Sequence, residues 1–204
     1  MVLLCLLIPG AYARGDTGMP SPPVPMTYIA CISCHGSDGW GSPAIHAPPI
    51  AGQPANYTRQ QLLHFRNGRR GQHAGDTWGA QMALMAAPLS DAEIDALAAY
   101  LAAQPAWPLP KLSESAAPDG YQICQACHGS EGGGVAEAGV PRIAGLPAEY
   151  LFRQLLAYRS GRRPPVAGSG QPSPMEGVIT DRHTDSTLRA WADYLSGSGV
   201  GQGD

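Results

Sequence analysis

An internal duplication constrains this chain more than any other feature of its sequence. A shift of 93 residues carries the segment Cys31-Ile-Ser-Cys34-His35 onto Cys124-Gln-Ala-Cys127-His128. At the same shift Pro48 meets Pro141, Tyr57 meets Tyr150, Gln61 meets Gln154, Arg70 meets Arg163 and Met82 meets Met175. Two copies are too few for a solenoid, so the pattern indicates a domain of about 80 residues that occurs twice.

The segment between the copies predicts a linker. Four prolines lie from Pro105 to Pro118, and this composition favours a semi-rigid connection over a floppy one. The expected division of the chain is a signal peptide at 1–13, a flexible lead-in at 14–25, a first domain at 26–104, a proline-rich linker at 105–117, a second domain at 118–196 and a flexible tail at 197–204.

The first residues predict export from the cytoplasm. A short apolar stretch from Val2 to Ile8 precedes Ala11-Tyr12-Ala13, which has the small-x-small pattern of a signal-peptide cleavage site. We expect cleavage after Ala13 and a periplasmic protein; a retained N-terminal anchor and a protein that is not exported are the alternatives. Lipidation of Cys5 is disfavoured because too few residues precede it. No apolar run approaches the roughly 20 residues that a transmembrane helix needs, so we expect no transmembrane span.

Hydrophobic periodicity predicts an all-α fold. Period-two alternation is not sustained anywhere, whereas helical spacing and helix-end signals recur in both copies. Ser90 and Glu93 form a capping box at the start of one helix, and Thr184-Asp185 opens the equivalent helix in the second copy. The other expected helices are Met26 to Cys34, Pro54 to Asn67 and Asp119 to Cys127.

Composition excludes one class of function and raises a question about the core. The 13 basic and 16 acidic residues give a net charge of −3, which excludes a dedicated nucleic-acid binder because no basic excess is available to neutralise phosphates. The chain holds only 2 Phe, 4 Trp and 8 Tyr. These aromatic residues are too few to fill two small cores unless another apolar group contributes.

The two Cys-x-x-Cys-His segments carry the chemistry of the chain. This motif is the attachment signature of c-type haem, in which both thiols bond to the porphyrin and the adjacent imidazole ligates the iron. The covalent ligands would be Cys31 and Cys34 in the first domain, Cys124 and Cys127 in the second. The alternatives are a disulfide, a zinc site or a thioredoxin-like site. They are disfavoured because neither repeat supplies a tight four-ligand cluster or a βαβ pattern.

Methionine spacing predicts the second axial ligands. Met82 lies 47 residues after His35, and Met175 lies 47 residues after His128. We therefore predict that His35 with Met82, and His128 with Met175, ligate the two irons. Met85 is interpreted as core, which is the usual place for a methionine on a helix face. Four histidines have no counterpart in the other repeat and are interpreted as surface or satisfied core residues: His46, His64, His73 and His183.

Further residues are predicted around each haem. The carbonyls of Pro48 and Pro141, each 13 residues after its histidine, are candidate acceptors for the other ring nitrogen of that histidine. Aromatic walls are expected from Trp40, Tyr57 and Tyr150. Arginines recur in step, and each either pairs with a haem propionate or forms a solvated helix end: Arg66, Arg69 and Arg70 in the first copy, Arg159, Arg162 and Arg163 in the second.

The sequence resembles the diheme cytochrome c4 family of class I cytochromes over about residues 27–196. The resemblance lies in CHGSDGWG and CHGSEGGG, in PPIAGQPANY and PRIAGLPAEY, and in MALMAAPLSDAEIDALAAYL. The second methionine loop, MEGVITDRHTDSTLRAWADYL, departs from the family pattern by an insertion and by Arg-His-Thr in place of Leu-Ser. The family implies two tandem class I domains about a pseudo-twofold axis, with the haem edges facing each other near the linker.

The resemblance implies a periplasmic electron carrier with two covalent haem c groups, not an enzyme. It would pass electrons from a respiratory donor to a terminal oxidase or another acceptor. One alternative is the electron-transfer subunit of a dehydrogenase, such as a flavoprotein acting on sulfide or an alcohol. The other is a haem enzyme acting on peroxide or thiosulfate. The expected partners are redox proteins (an oxidase, a cytochrome complex or a dehydrogenase subunit), through which the chain would associate with a membrane.

Overall fold

The computed structural model of the chain describes residues 23–163 and 174–198. The signal peptide predicted at 1–13 and its cleavage site lie outside the described residues, as do most of the lead-in and of the tail. The described residues form eight α-helices and contain no β-strand, which confirms the all-α prediction. Extended backbone pairs there only at two isolated bridges, Ser42 with Ala47 and Val135 with Val140.

Each repeat contributes four helices in the same order. In the first, the helices are α1 (Ile29–His35), α2 (Ala55–Arg66), α3 (Thr77–Ala86) and α4 (Asp91–Ala102). In the second they are α5 (Gln122–His128), α6 (Ala148–Arg159), α7 (Pro174–Val178) and α8 (Asp185–Ser196). The closing helix packs on the long central one in both repeats, α4 on α2 and α8 on α6. The duplication in the sequence is therefore a duplication of the fold.

Equivalent tyrosines join the first and last helices of each repeat. The rings of Tyr28 and Tyr100 lie 5.0 Å apart, and those of Tyr121 and Tyr194 lie 4.7 Å apart. All four are buried. Tilted or edge-on pairs at this separation stabilise a core beyond their area of contact. They hold the CxxCH helix against the closing helix in both domains.

Helix α4 begins at the predicted capping box. The Ser90 hydroxyl accepts a hydrogen bond from the Glu93 amide at 3.3 Å, and the Glu93 carboxylate accepts one from the Ser90 amide at 2.8 Å. The hydrogen bonds that the Glu93 carboxylate accepts from the Ser90 hydroxyl, at 2.7 Å, and from the Ser90 amide lower the pKa of the Glu93 carboxyl. In the second repeat, the Thr184 hydroxyl accepts from the Thr187 amide at 3.2 Å. The sequence prediction of both helix starts is confirmed.

Replacing Ser90 with alanine is expected to lower the free energy of unfolding by about 1 kcal/mol, since the amide of Glu93 loses its acceptor at the helix start. Thermal or denaturant unfolding of the haem-loaded protein measures the change. Ser37→Ala is the matched control, because Ser37 is an exposed turn residue after α1. An equal loss in both variants would contradict a capping role for Ser90.

Equivalent arginines fasten the long helix to the start of the closing helix. Arg66 donates to the Leu89 carbonyl at 2.9 Å and to Asp91 at 2.6 Å. Arg159 likewise donates to the His183 carbonyl at 2.7 Å and to Asp185 at 2.5 Å. Each of these two guanidinium groups therefore donates to a carboxylate and to a carbonyl of the chain. The sequence interpretations of a propionate partner and of a solvated helix end are both wrong for Arg66 and Arg159. Arg69 and Arg162 are exposed, as solvated helix ends are.

The two cores differ in continuity. The buried residues of the second domain form one cluster that includes Trp191, Leu188 and Ile179, and the linker residue Trp107 belongs to it. The Trp107 indole donates to the Ala144 carbonyl at 2.8 Å, so the linker packs on the second domain. In the first domain the buried residues form two smaller clusters, one around Leu97 and one around Phe65.

Within residues 23–163 and 174–198, none of the helices has both the length and the apolar character that crossing a bilayer requires.

Candidate functional site

Each CxxCH segment is the last turn of a short helix. Helix α1 ends at His35 and α5 ends at His128, and a glycine with positive φ follows each one. Both histidines are buried, while Cys34 and Cys127 are exposed. The structure does not join the two cysteines of either segment to each other.

The proline carbonyls lie where the predicted acceptors were expected. Nδ1 of His35 is 2.9 Å from the carbonyl oxygen of Pro48, and Nδ1 of His128 is 2.8 Å from that of Pro141. A carbonyl only accepts, so a neutral ring in this position carries its proton on Nδ1. Burial lowers the pKa of both histidines, and the proline hydrogen bond opposes this shift. Each ring is therefore held neutral, with Nε2 available to a metal.

A glycine in each loop lets the backbone bring that carbonyl close. Gly41 has φ of 78° and Gly134 has φ of 76°. A Cβ at either position would lie 2.6 Å from the carbonyl carbon of the proline that accepts from the histidine. The amides of these glycines donate to the carbonyls of His35 and His128 at 2.9 Å. Neither loop could close over the histidine with a larger residue at this point.

A cavity in the first domain joins the predicted haem ligands. Cys31, Cys34 and His35 line one part of it, and Met82 lines another. Its remaining walls are largely apolar and include Ile50, Leu62, Phe65, Leu97 and Leu101. These residues come from both of the small core clusters, so the cavity separates two halves of the domain core. Apolar walls, paired thiols and a neutral imidazole fit a covalently bound haem c.

The two methionines of α3 differ in burial. Met82 is half-buried and packs against the cluster of Phe65, Ala83 and Ala86. Met85 also lines the cavity, but it is 45% exposed. The interpretation of Met85 as a core residue is therefore wrong. Helix α3 puts both side chains at the cavity because they lie three positions apart, on one face of the helix.

The second methionine segment is built differently. Met175 lies on α7, which has 5 residues where α3 has 10. Its side chain is half-buried and packs against the core of the second domain, to which Cys124 also belongs. Nearby, the ring of His183 packs on Trp191 at 5.0 Å and accepts from the Thr180 amide at 3.2 Å. His183 is thus a satisfied core histidine, as interpreted.

The other unmatched histidines have different surroundings. His73 is exposed, and His46 stacks on Trp78 with ring centroids 4.4 Å apart. His64 is only 3% exposed, yet neither ring nitrogen has a hydrogen-bond partner. Burial and then the charge of Arg70 lower its pKa to about 4, so its ring is neutral. The prediction of a surface or satisfied residue is wrong for His64.

Two of the three predicted aromatic walls lie at the cavity. Tyr57 and Tyr150 line it, although Tyr150 belongs to the second domain. Trp40 is not among the lining residues; it is 41% exposed, and its indole donates to the Pro105 carbonyl at 3.1 Å. The wall prediction is wrong for Trp40, because the indole reaches the start of the linker instead.

Residues of the second domain close the first domain's cavity. Leu146, Tyr150 and Gln154 line it beside residues of the first domain. Gln53 joins the domains through the backbone of Arg142, accepting from the amide at 3.0 Å and donating to the carbonyl at 2.9 Å. Gln53 was not predicted from the sequence. Its counterpart in the second repeat is Leu146, and nothing in the sequence of either repeat shows which of its faces meets the other domain.

Comparisons with known proteins agree with this geometry. The sequence profile of the family Cytochrome c matches residues 27–105 and 120–198. The thiosulfate dehydrogenase electron acceptor of Stutzerimonas stutzeri (strain A1501) is 36% identical over 185 residues, which cover 84% of this chain and 80% of that protein. Cytochrome c4 of Stutzerimonas stutzeri is 31% identical over 217 residues, 96% of each chain. The crystal structure of reduced recombinant cytochrome c4 from Pseudomonas stutzeri matches with a TM-score of 0.66 and 28% identity, covering 83% of this chain and 94% of that chain.

Proposed function

This chain belongs to the cytochrome c family, as a tandem relative of cytochrome c4, and we propose that it accepts electrons from a dehydrogenase that oxidises thiosulfate. The chain is a diheme electron carrier with two covalently bound haem c groups, not an enzyme. Its partners are redox proteins, and the proposal concerns which ones. We further propose that the electrons leave for a terminal oxidase or another respiratory acceptor.

We infer that one haem is attached through Cys31 and Cys34, and the other through Cys124 and Cys127. The iron ligands in this proposal are His35 with Met82, and His128 with Met175. Each bound haem supplies one-electron chemistry, and histidine–methionine ligation favours a high reduction potential. Where the oxidation catalysed by the dehydrogenase releases two electrons in one turnover, a carrier with two haems can take up both.

The chain's own residues prepare each haem site before any partner binds. Pro48 and Pro141 accept the Nδ1 proton of the two histidines, which fixes the ring orientation and directs Nε2 away from the carbonyl. The apolar side chains that line the first cavity would exclude water from a haem held there. Neither domain carries a described cluster of three or more histidine, cysteine or acidic side chains that would hold a separate metal.

One observation carries the choice of donor. The relative named as a thiosulfate dehydrogenase electron acceptor is 36% identical across 84% of this chain. That match spans both domains and is not confined to one haem motif. An electron acceptor of a dehydrogenase must also pass its electrons on. The proposal therefore combines the alternative of a dehydrogenase subunit with the interpretation as an electron carrier. We place this exchange in the periplasm, on the signal-peptide pattern at residues 1–13.

We expect a thiosulfate dehydrogenase with thiosulfate to reduce both haems of the oxidised, anaerobic protein. Thiosulfate alone is expected to reduce neither on the same timescale, because ligation of both irons by side chains leaves no coordination site at which this chain could itself oxidise a substrate. Visible absorbance of the reduced haems measures the reaction, and a cytochrome c4 serves as a positive control. Reduction of the control but not of this protein would refute the proposed donor. Reduction by thiosulfate without the dehydrogenase would refute the carrier role.

A further inference from the structure

The exposed part of the first domain's cavity wall carries no charge. Most residues that line this cavity are buried or half-buried, and those that are exposed form its rim: Ala30, Cys34, Ile45, Gln81 and Met85. Two large apolar side chains precede rim residues directly in the chain, Ile29 at 55% exposure and Leu84 at 75%. We call these seven residues the neutral rim.

The segments that supply the neutral rim are uncharged along their whole length. Helix α1, the short turn Pro43–Ile45 and helix α3 contain no Asp, Glu, Lys or Arg. The charged residues that line the cavity are Arg70, Asp76 and Arg153, and each of them is buried or half-buried. A surface with several large, exposed apolar side chains and no charge is typical of a contact with another protein.

The second domain shows that the fold does not require such a rim. At a shift of 93 residues, four large apolar residues of the neutral rim meet residues that are smaller, more polar or half-buried: Ile29 meets Gln122, Ile45 meets Ala138, Leu84 meets Gly177 and Met85 meets Val178. The reverse holds at Ala30, which meets the exposed Ile123. Two of the equivalent segments also carry an acidic residue, Glu137 and Glu176. The apolar, uncharged character is therefore specific to the first domain.

The neutral rim lies where the first haem would reach the surface. Cys34 is exposed and lines the cavity, and in the proposed function its sulfur is bonded to that haem. A group bonded to this sulfur lies at the surface, among the rim residues. Since the rate of electron transfer falls steeply with distance, a protein that covers the rim is in the right place to reduce the first haem.

We propose that the neutral rim is the docking surface for the dehydrogenase that donates the electrons, which covers it with an uncharged, apolar face. This inference rests on the proposed function and adds the site at which the donor binds. The first haem is then the one that receives electrons from the donor, and the second haem receives them from the first.

A comparison favours a dehydrogenase as the occupant. The thiosulfate dehydrogenase TsdBA from Marichromatium purpuratum matches with a TM-score of 0.64 and 29% identity, covering 81% of this chain but 36% of that chain. The part similar to this chain is thus continuous there with a longer remainder of a dehydrogenase. Interfaces between partners that stay together are more hydrophobic than those of transient encounters. An uncharged, apolar rim fits a partner that stays bound.

Ile29→Gln combined with Leu84→Gln is expected to raise the dissociation constant of the complex with a thiosulfate dehydrogenase on the order of tenfold, and to lower the second-order rate constant of haem reduction by a similar factor. Neither residue lines the cavity, so both reduction potentials are expected to stay at their parent values. The matched control is Ile123→Gln with Val135→Gln, which removes two exposed apolar side chains from the second domain. It is expected to change neither constant.

Sedimentation measures binding, and stopped-flow absorbance measures reduction, with the haem-loaded, full-length protein. Leu84→Glu and Leu84→Lys are both expected to weaken binding, since an apolar face leaves either charge without a partner. Opposite effects of these two variants would reveal a charged partner face and overturn the proposal.

Two further results would also overturn the docking surface. One is an Ile29→Gln, Leu84→Gln variant that binds and is reduced like the parent protein, or is affected less than the second-domain control. The other is a parent protein that sediments alone as a dimer which this variant dissociates, because the rim would then bind a second copy of the chain. A parent protein that the dehydrogenase does not reduce would refute the proposed donor, and this docking with it. Normal reduction of the parent with an unaffected variant would refute the surface alone.

Discussion

Replacing Cys31 and Cys34 with alanine is expected to unfold the first domain and leave a protein with a single haem. The cavity beside these cysteines separates the cluster around Leu97 from the cluster around Phe65. Without a covalently held porphyrin, the partly buried Leu89 is the apolar side chain that packs on both clusters, and it is too small to fill the cavity between them. The helices of the domain then lose the group that joins them.

The size of this effect follows from apolar burial. A porphyrin that buries several hundred Å² at about 25 cal/mol per Å² contributes on the order of 10 kcal/mol. The whole stability of a small domain is about 5–15 kcal/mol. Loss of the haem therefore removes most or all of the stability of the first domain. The equivalent change at Cys124 and Cys127 is expected to have a smaller effect, because the second domain has one continuous cluster with Trp107 and Trp191.

Far-ultraviolet circular dichroism, limited proteolysis and mass spectrometry measure the outcome. Ser33→Ala is the control, since Ser33 lies between the two cysteines and is exposed; it is expected to keep both haems and the full helical signal. Protease resistance of the first domain after loss of its haem would contradict the argument. So would greater damage from the Cys124 and Cys127 variant than from the Cys31 and Cys34 variant.

Repetition made much of the fold predictable. Helix α2 was expected from Pro54 to Asn67 and runs from Ala55 to Arg66, and α4 starts at the predicted capping box. These are local features, set by helix propensity, capping and the spacing of apolar residues. The carbonyls of Pro48 and Pro141 could also be named, because a fixed distance of 13 residues recurs in both repeats.

Contacts between the domains could not be predicted in the same way. In the sequence, Arg70 and Arg163 look like basic helix ends, and only the packed structure shows that both are buried beside Gln61 and Gln154. His64 is a similar case: its ring is buried without a hydrogen-bond partner, and burial and then the charges of Arg70 and Arg163 lower its pKa. A shift of 93 residues shows which positions are equivalent, but it does not show which faces meet.

The choice between the two methionines of α3 remains a prediction, because both Met82 and Met85 line the cavity. The chosen ligand is Met82, since its spacing from His35 equals that of Met175 from His128. Its half-buried side chain is held by Phe65, Ala83 and Ala86, whereas Met85 is 45% exposed. A ligand fixed by neighbouring side chains keeps its sulfur in place through a change of oxidation state, and a solvent-exposed side chain does not.

Met82→Ala is therefore expected to lower one of the two reduction potentials strongly and to leave the other nearly unchanged. Axial ligands set haem potentials over about 0.8 V, so loss of a thioether is expected to lower that potential by on the order of a few tenths of a volt. The weak long-wavelength absorbance of a methionine–iron(III) bond should fall by about half, because the second haem keeps its own ligand. Redox titration and visible spectroscopy of the oxidised protein measure both effects. Met85→Ala is the matched control on the same helix face, and a larger loss in that variant would transfer the ligand role from Met82 to Met85.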